Sequence, residues 1–433
     1  MKPLALTSPP AVQPTRARHW VIVFAVTLAV ITYFDRVCIS QSAHDIQRDL
    51  GLTKEQMSWV FSAFTLAYAL FEVPTGWLGD RRGPRRVLVR IVVLWSFFTA
   101  ATGWAWNLAS MIVCRFLFGA GEAGCFPNLT KIFTIWLPWN ERVRAQGIMW
   151  LSARWGGAFT PLVVFWVMTF LNWREAFLLF GTLGVAWAVV FYFWYHDNPR
   201  DHPSVNAAEL ALLDGAEANA PGHGDVPWKR FLSSPTVWLL WLQYFSMCYG
   251  WYFYITWLPT YLIEARGLEL AKGAFLSGLP LFFGGLACFF VGVLVHRIAR
   301  WTGSVRQARR IPALLGLIIA AVMLVLSTHI ENPTLAMVVI GLAGFANDSA
   351  MPSGWSACMD VGGKYAGSLS GSMNMMGNLG GAVGSLAVAQ ILKFTGNNWT
   401  ICFWVAAGIY LIGAACWLFI DPVTPLDGSQ ERQ

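Results

Sequence analysis

The sequence predicts an all-α polytopic membrane protein, with twelve transmembrane helices in two six-helix halves. Three observations carry that expectation. Of the 433 residues, 56% are hydrophobic and only 12% are charged, against about 25% charged in soluble domains. Apolar runs of spanning length recur twelve times, a bilayer core taking about 20 apolar residues per helix. A single polar stretch, residues 196–235, divides those runs six and six. A chain so poor in charge cannot cover a water-facing surface, which excludes a soluble enzyme. The net charge of +7 then reads as membrane orientation and not as a nucleic-acid footprint.

The first run, near 20–40, follows a polar, proline-bearing segment and continues into Asp35-Arg36 past any small-residue cleavage site. It is therefore read as a retained span and not a signal peptide. Spans near 56–77, 87–106, 109–133, 146–170 and 175–195 complete a first half, 1–195. The linker 196–235 is rich in Asp, Glu, Pro, Gly and His. Spans near 236–262, 273–297, 311–328, 334–358, 368–392 and 399–420 form a second half, 236–433. With the N-terminus inside, inner segments hold 21 Lys and Arg and outer segments 6, a bias that places both termini in the cytoplasm. The eight cysteines lie in apolar runs, without Cys-x-x-Cys pairs or histidines at ligand spacing. They read as buried thiols, with no metal and no cofactor expected.

Gly76-Trp-Leu-Gly-Asp80-Arg81 after the second span recurs as Gly292-Val-Leu-Val-His296-Arg297 at the end of the eighth. His296 replaces Asp80 in the second copy, and the basic cluster moves to Arg306, Arg309 and Arg310. Such a repeat fits a duplicated half. The full first copy, through Arg82-Gly83-Pro84-Arg85-Arg86, resembles the signature loop of the major facilitator superfamily. In that light Gly76, Asp80, Arg81, Gly83 and Arg85 form a cytoplasmic latch between helices that separate and rejoin.

Finer motifs resemble the anion:cation symporter family within that superfamily. They are Tyr33-Phe-Asp35-Arg36, Arg115-x6-Glu122, Trp257-Leu-Pro-Thr-Tyr261, Asp197-x-Pro199-x-x-His202-Pro203 and Gly371-Ser-Met-Asn374-Met-Met-Gly-Asn378-Leu-Gly-Gly381. The resemblance implies a monomeric, proton-coupled symporter of a bacterial inner membrane that imports an organic anion by alternating access. Sugar acids, hexuronates, glucarate, tartrate, phthalate and sialic acid are the cargo class it suggests. It further implies that Arg36 holds the substrate carboxylate, that Arg115 pairs with Glu122, and that Asp35 and Glu122 exchange protons. Tyr33, Tyr68, Trp355, Asn374 and Asn378 match positions that line the cavity. Two positions depart from the family's habit: Arg154, commonly small or an amide, and Glu72, commonly an amide. A drug or metabolite antiporter is the rival reading, weakened because span five reads Thr160-Pro161-Leu-Val-Val where antiporters carry Gly-Pro-x-x-Gly-Gly. A membrane enzyme lacks a nucleophile–base set here, and a sensor lacks an output domain.

The intramembrane charges stand on their own physics. Asp35, Arg36, Glu72, Arg115, Glu122, Arg154 and Asp348 fall within the spans, where each charge at a helix centre costs about 2.5–3.5 kcal/mol. Each needs a partner or a pathway. Arg115 and Glu122 are two turns apart on one stripe, separated by roughly 10 Å of rise, so both can line one cavity, and Arg115 is expected among the substrate-binding residues. Asp35 and Arg36 point about 100° apart, so Arg36 is expected to face a cavity and Asp35 the fourth helix. An arginine fork suits a carboxylate best, and among the spans only carboxylates can take the proton, since His296 sits at an edge. Arg154 has two readings: an internal pair with Glu72, Asp348 or another acid, or a second clamp for a dicarboxylate or aromatic acid. The glycines at 377, 380, 381 and 384 read as close-packing surface.

Overall fold

In hydrocarbon every backbone amide must bond within the chain, and a helix does so without a neighbour. The structure, a computed structural model, describes residues 13–213, 226–268 and 276–426. Residues 214–225 of the linker, the start of the predicted eighth span at 273–275, and Lys2, Lys272 and Arg432 lie outside the described residues. The first set of helices comprises α1 (Ala17–Gln41), α2 (Ala43–Leu50), α3 (Lys54–Arg82), α4 (Pro84–Thr102), α5 (Leu108–Glu122), α6 (Cys125–Trp136), α7 (Trp139–Met168) and α8 (Trp173–Trp194). Two short linker helices follow, α9 (Ala207–Leu212) and α10 (Trp228–Ser233). The second set comprises α11 (Pro235–Thr256), α12 (Leu258–Glu264), α13 (Leu279–Thr302), α14 (Val305–Thr328), α15 (Pro333–Asp348), α16 (Met351–Gly362), α17 (Ala366–Thr395) and α18 (Trp399–Phe419). The described residues contain no strand.

Seven stretches among the described residues are by themselves long and apolar enough to cross a membrane. Helices α3 and α7 equal them in length, at 29 and 30 residues, but bury charges along the way. The predicted fourth and tenth spans, continuous in hydropathy, are each broken. The breaks fall at Ala123-Gly124 and Ser349-Ala350. A proline lies just beyond each break: Pro127 offers no N–H to the Ala123 carbonyl, and Pro352 none to that of Asp348. Glu122 and Asp348 consequently end a helix at matching places in the two sets.

The sets meet along α3 against α17 and α7 against α13. The end that carries both termini is tied by charge. Asp80, 4% exposed, accepts the amides of Gly367 at 3.0 Å and Ser368 at 2.6 Å and the Ser368 hydroxyl at 2.7 Å. Those are first-turn amides of α17, which have no partner within their helix and favour an anion. Lys131 of α6 completes the site, its Nζ 3.6 Å from Asp80 and also donating to the Lys364 carbonyl at 2.6 Å. Gly76 packs on Gly367 so closely that any side chain there would strike the Gly367 carbonyl. A second tie uses Arg309 of the displaced basic cluster, with an acid that lies outside the repeat motif. Asp360 of α16 accepts from Arg142 of α7 at 2.5 Å and pairs with Arg309 of α14.

The rest of the expected latch turns elsewhere. Gly83 joins α3 to α4 at φ +87°, a conformation that favours glycine. Beside it Asp197 of the linker accepts the Arg85 amide at 2.9 Å, and the Arg85 guanidinium donates to the Tyr192 carbonyl at 2.5 Å. Arg81 lies 5.3 Å over Trp77. Thus Asp80 and Gly76 cross between the sets, while Gly83 and Arg85 fasten the loop to its own set. The linker is also pinned at Glu209, fully buried, which accepts the amides of Ala17 and Arg18 at the start of α1 at 3.2 and 3.1 Å.

Asp80→Asn should loosen the α17 start, because a neutral amide accepts far more weakly than a carboxylate. Hydrogen–deuterium exchange at Gly367 and Ser368 should rise about tenfold or more, as expected for the loss of a bond to a charged group. Wild-type protection at those amides would refute the cap.

Candidate functional site

Charges stranded inside a bundle gather where helices leave space. A cavity of about 60 Å³ lies between the two sets. Its lining includes Tyr33, Arg36, Tyr68, Arg154, Asn374 and Asn378, all singled out from the sequence. Arg36 enters from α1, its Nε 2.7 Å from Glu122 Oε1. The guanidinium is caged by aromatic faces, with Tyr68 at 4.5 Å, Phe64 at 5.4 Å and Tyr33 at 5.9 Å. Such faces hold a cation through their ring quadrupoles without using its hydrogen bonds. Arg36 Nη2 has no hydrogen-bond partner. Its side chain is 22% exposed while that of Glu122 is wholly buried, so the cation faces the cavity and the acid stands behind it.

Behind that pair lies a second tier. Asp35 is 1% exposed, and neither of its carboxylate oxygens accepts a hydrogen bond. It lies within electrostatic reach of Glu122 and Arg115 on the fourth span, the side that helical geometry assigns to it. Arg115 departs from expectation. The ion pair of Glu122 forms with Arg36 and not with Arg115, which stacks at 4.3 Å on Phe118 and leaves Nε and Nη1 without partners. Two turns of rise hold Arg115 too far along its helix for an easy contact with Glu122. Arg115 is 2% exposed and stands off the cavity wall.

Polar bonds across the sets frame the other walls. Glu72 of α3 accepts from the amides of Asn374 and Asn378, the latter at 3.1 Å, and Tyr252 donates to Asn378 Oδ1 at 2.7 Å. Arg154 forms a two-pronged pair with Asp348, at 2.7 Å from Nε and 3.1 Å from Nη2. Of the two readings of Arg154, the internal partner is thus Asp348, yet Arg154 also faces the cavity. Trp355 is fully buried and lies behind the wall. Its indole donates to the Tyr244 hydroxyl at 3.2 Å and its ring packs 5.1 Å from Trp150, and both of those line the cavity.

Sequence reasoning missed Phe126, Trp150, Tyr244, Cys248, Trp251, Tyr252 and Met351 on the wall. One signal was available: Tyr244, Cys248, Trp251 and Tyr252 recur at i, i+4, i+7 and i+8, a single polar-tipped stripe on a helix. The spans around the cavity carry four carboxylates, Asp35, Glu72, Glu122 and Asp348, against three guanidiniums, Arg36, Arg115 and Arg154. An anion entering this space meets cations already engaged by acids.

A profile of the Major Facilitator Superfamily matches residues 25–385. The chain is 34% identical over 424 residues to a protein named "Probable sulfoacetate transporter" from Cupriavidus necator, covering 97% of each chain. It is 29% identical over 402 residues to a "Probable galactarate/D-glucarate transporter" from Escherichia coli, covering 88% of this chain and 89% of the relative. A D-galactonate transporter from Escherichia coli is 28% identical over 424 residues, covering 95% and 97%. Among solved structures, the proton:xylose symporter XylE matches with a TM-score of 0.75 at 12% identity, covering 94% of this chain and 97% of that one. The Escherichia coli fucose:proton symporter FucP matches with a TM-score of 0.71 at 13% identity, covering 94% and 100%. These two likenesses establish the fold.

Trp355→Phe tests the place of Trp355 behind the wall. It removes the hydrogen bond to Tyr244, about 1 kcal/mol, and part of the stack on Trp150, about another 1 kcal/mol. The melting temperature of the purified protein should fall. An unchanged melting temperature would take Trp355 out of that network.

Proposed function

Because this chain belongs to the Major Facilitator Superfamily, we propose that it moves a small organic anion across the membrane together with protons. It is a membrane transporter and not an enzyme. The relatives named for sulfoacetate, galactarate or glucarate, and galactonate support the anion class. The observation that carries the reading is the pair of Arg36 and Glu122: a cation facing the cavity, held from behind by a buried acid with one oxygen left over.

An incoming carboxylate and Glu122 compete for one guanidinium. If Glu122 takes a proton, Arg36 keeps its charge for the substrate, and the two ligands favour each other's binding. Asp35, wholly unpartnered beside Arg115 and Glu122, is the second site through which that proton passes. The excess of carboxylates over guanidiniums supports the same coupling, since an added anion without a proton leaves more buried negative charge unpaired. Alternating access then follows from rocking of the two halves, 1–195 and 236–433, about the cavity on the linker 196–235. The terminus-bearing end, tied by Asp80 and Asp360, is the cytoplasmic one in this reading, and the protein acts as a monomer in a bacterial inner membrane. The drug-antiporter alternative finds no support in a cavity built around an arginine.

Two substitutions test it in proteoliposomes. Glu122→Gln mimics the protonated acid, so accumulation driven by a pH gradient should vanish while exchange of internal for external substrate persists. Accumulation that still follows the gradient would end this role for Glu122. Arg36→Lys keeps the charge but not the planar fork, and affinity should drop about tenfold or more, the worth of one charge-assisted bond. Binding within about twofold of wild type, less than such a bond supplies, would mean that Arg36 is not the clamp.

A further inference from the structure

We propose that Arg154 is a second anion-binding group of the same cavity, that Asp348 is its built-in placeholder, and that the substrate is a short dianion with an acidic group at each end. The inference rests on the reading of Arg36 as the first anion site and extends it to the substrate's class.

The two arginines are set up alike. Arg154 lies 4.4 Å over the Trp251 ring, as Arg36 lies over Tyr68, and all four residues line the cavity. Each guanidinium is held from behind by an acid off the lining, Asp348 for one and Glu122 for the other. Those acids occupy matching places, each the last residue of a helix before the break in its span. Each guanidinium also keeps donors to spare: Arg154 engages Asp348 through Nε and Nη2 only, and Arg36 Nη2 is unpartnered. Tyr33 lies within electrostatic reach of both cations. A ligand resting on Tyr33 therefore lies near both guanidiniums.

A packing role alone explains this poorly. Buried ion pairs rarely stabilise a fold more than apolar residues of the same size would, and a pair serving only as packing has no need to face a cavity. The pair has one further property that Arg36 and Glu122 lack. Arg154 belongs to the first set and Asp348 to the second, so the bond spans the sets. A second anionic group on the substrate takes the place of Asp348 on Arg154, and the tie at mid-depth is replaced by the substrate itself. Besides Arg154, the Asp348 carboxylate accepts from Asn347 at 3.0 Å and lies within electrostatic reach of Cys288 of α13, Cys248 and Tyr254 of α11 and Tyr410 of α18, none of them cationic.

Calorimetry on the purified full-length protein tests this with matched probes: D-glucarate against D-gluconate, and sulfoacetate against glycolate. Wild type should bind the dianion of at least one pair tighter by about tenfold or more, the worth of one added charge-assisted contact. Which pair shows it distinguishes a carboxylate from a sulfonate at the second end. Arg154→Gln should collapse the ratio of dianion to monoanion affinity toward one, and Asp348→Asn, which frees Arg154, should raise it. Should either single variant fail to fold, the double variant Arg154→Gln/Asp348→Asn leaves no unpaired charge and should show the collapsed ratio. A wild type that binds monoanions as tightly as dianions would overturn the proposal, as would a preference that survives in the double variant. If wild type binds none of the four probes, the anion reading fails and this inference with it. If Arg36→Lys loses affinity as expected while the ratio stays indifferent to Arg154, only the second site is refuted.

Discussion

An ionised side chain taken out of water loses several kcal/mol of solvation, and only a close partner of opposite charge returns most of it. That constraint organises the interior of this protein. Arg36 and Glu122, Arg154 and Asp348, and Asp80 with Lys131 each answer it by direct pairing. Glu72 answers it with two amides from the opposite set. The answer is incomplete at Asp35, Arg115 and one oxygen of Glu122, whose buried polar atoms find no hydrogen-bond partner. The interior thus follows one electrostatic rule, met by direct pairing at the cavity wall and left open in the tier behind it.

The same rule distinguishes two kinds of tie between the sets. The ties at the terminus-bearing end use acids against helix amides and basic side chains, away from the cavity lining. The tie at Arg154 lies on the cavity wall, where a ligand can reach it. Among the described residues, the hydrogen bonds between the sets run from that end to the level of Arg154 and Trp155. The Arg154 tie is therefore at the far end of a ladder of contacts and not at its foot.

Much of this was legible in the sequence, for reasons that differ by feature. The spans stood out because apolar length is a property of the chain itself. The latch acid stood out because the glycines and charges around Asp80 are neighbours in sequence. Asp35, Arg36 and Glu122 stood out because a charge in an apolar run needs a reason. Partnership did not stand out. Glu122 was expected against Arg115, its neighbour on the same stripe, but meets Arg36 from another helix, because register between helices is set by packing that no local spacing encodes. The aromatic wall was hidden by abundance, since 24 Trp and 30 Phe leave no single one conspicuous. The tie at Asp360 was half legible, since Arg309 belongs to the displaced basic cluster of the repeat, but its acid comes from α16, far from the repeat in sequence.

The linker carries a consequence for where this protein can be divided. Hydropathy places the end of the first half at residue 195, where the last apolar run stops. Yet Asp197 closes the loop that starts α4, and Glu209 supplies the acceptor for the first amides of α1. Two helices of the first half thus borrow their end groups from chain that lies beyond it. As a mechanical body the first half runs on to the end of α9, and two fragments meant to reassemble belong on either side of that point. A cut at 195 would hand the second fragment two acids whose partners all reside in the first.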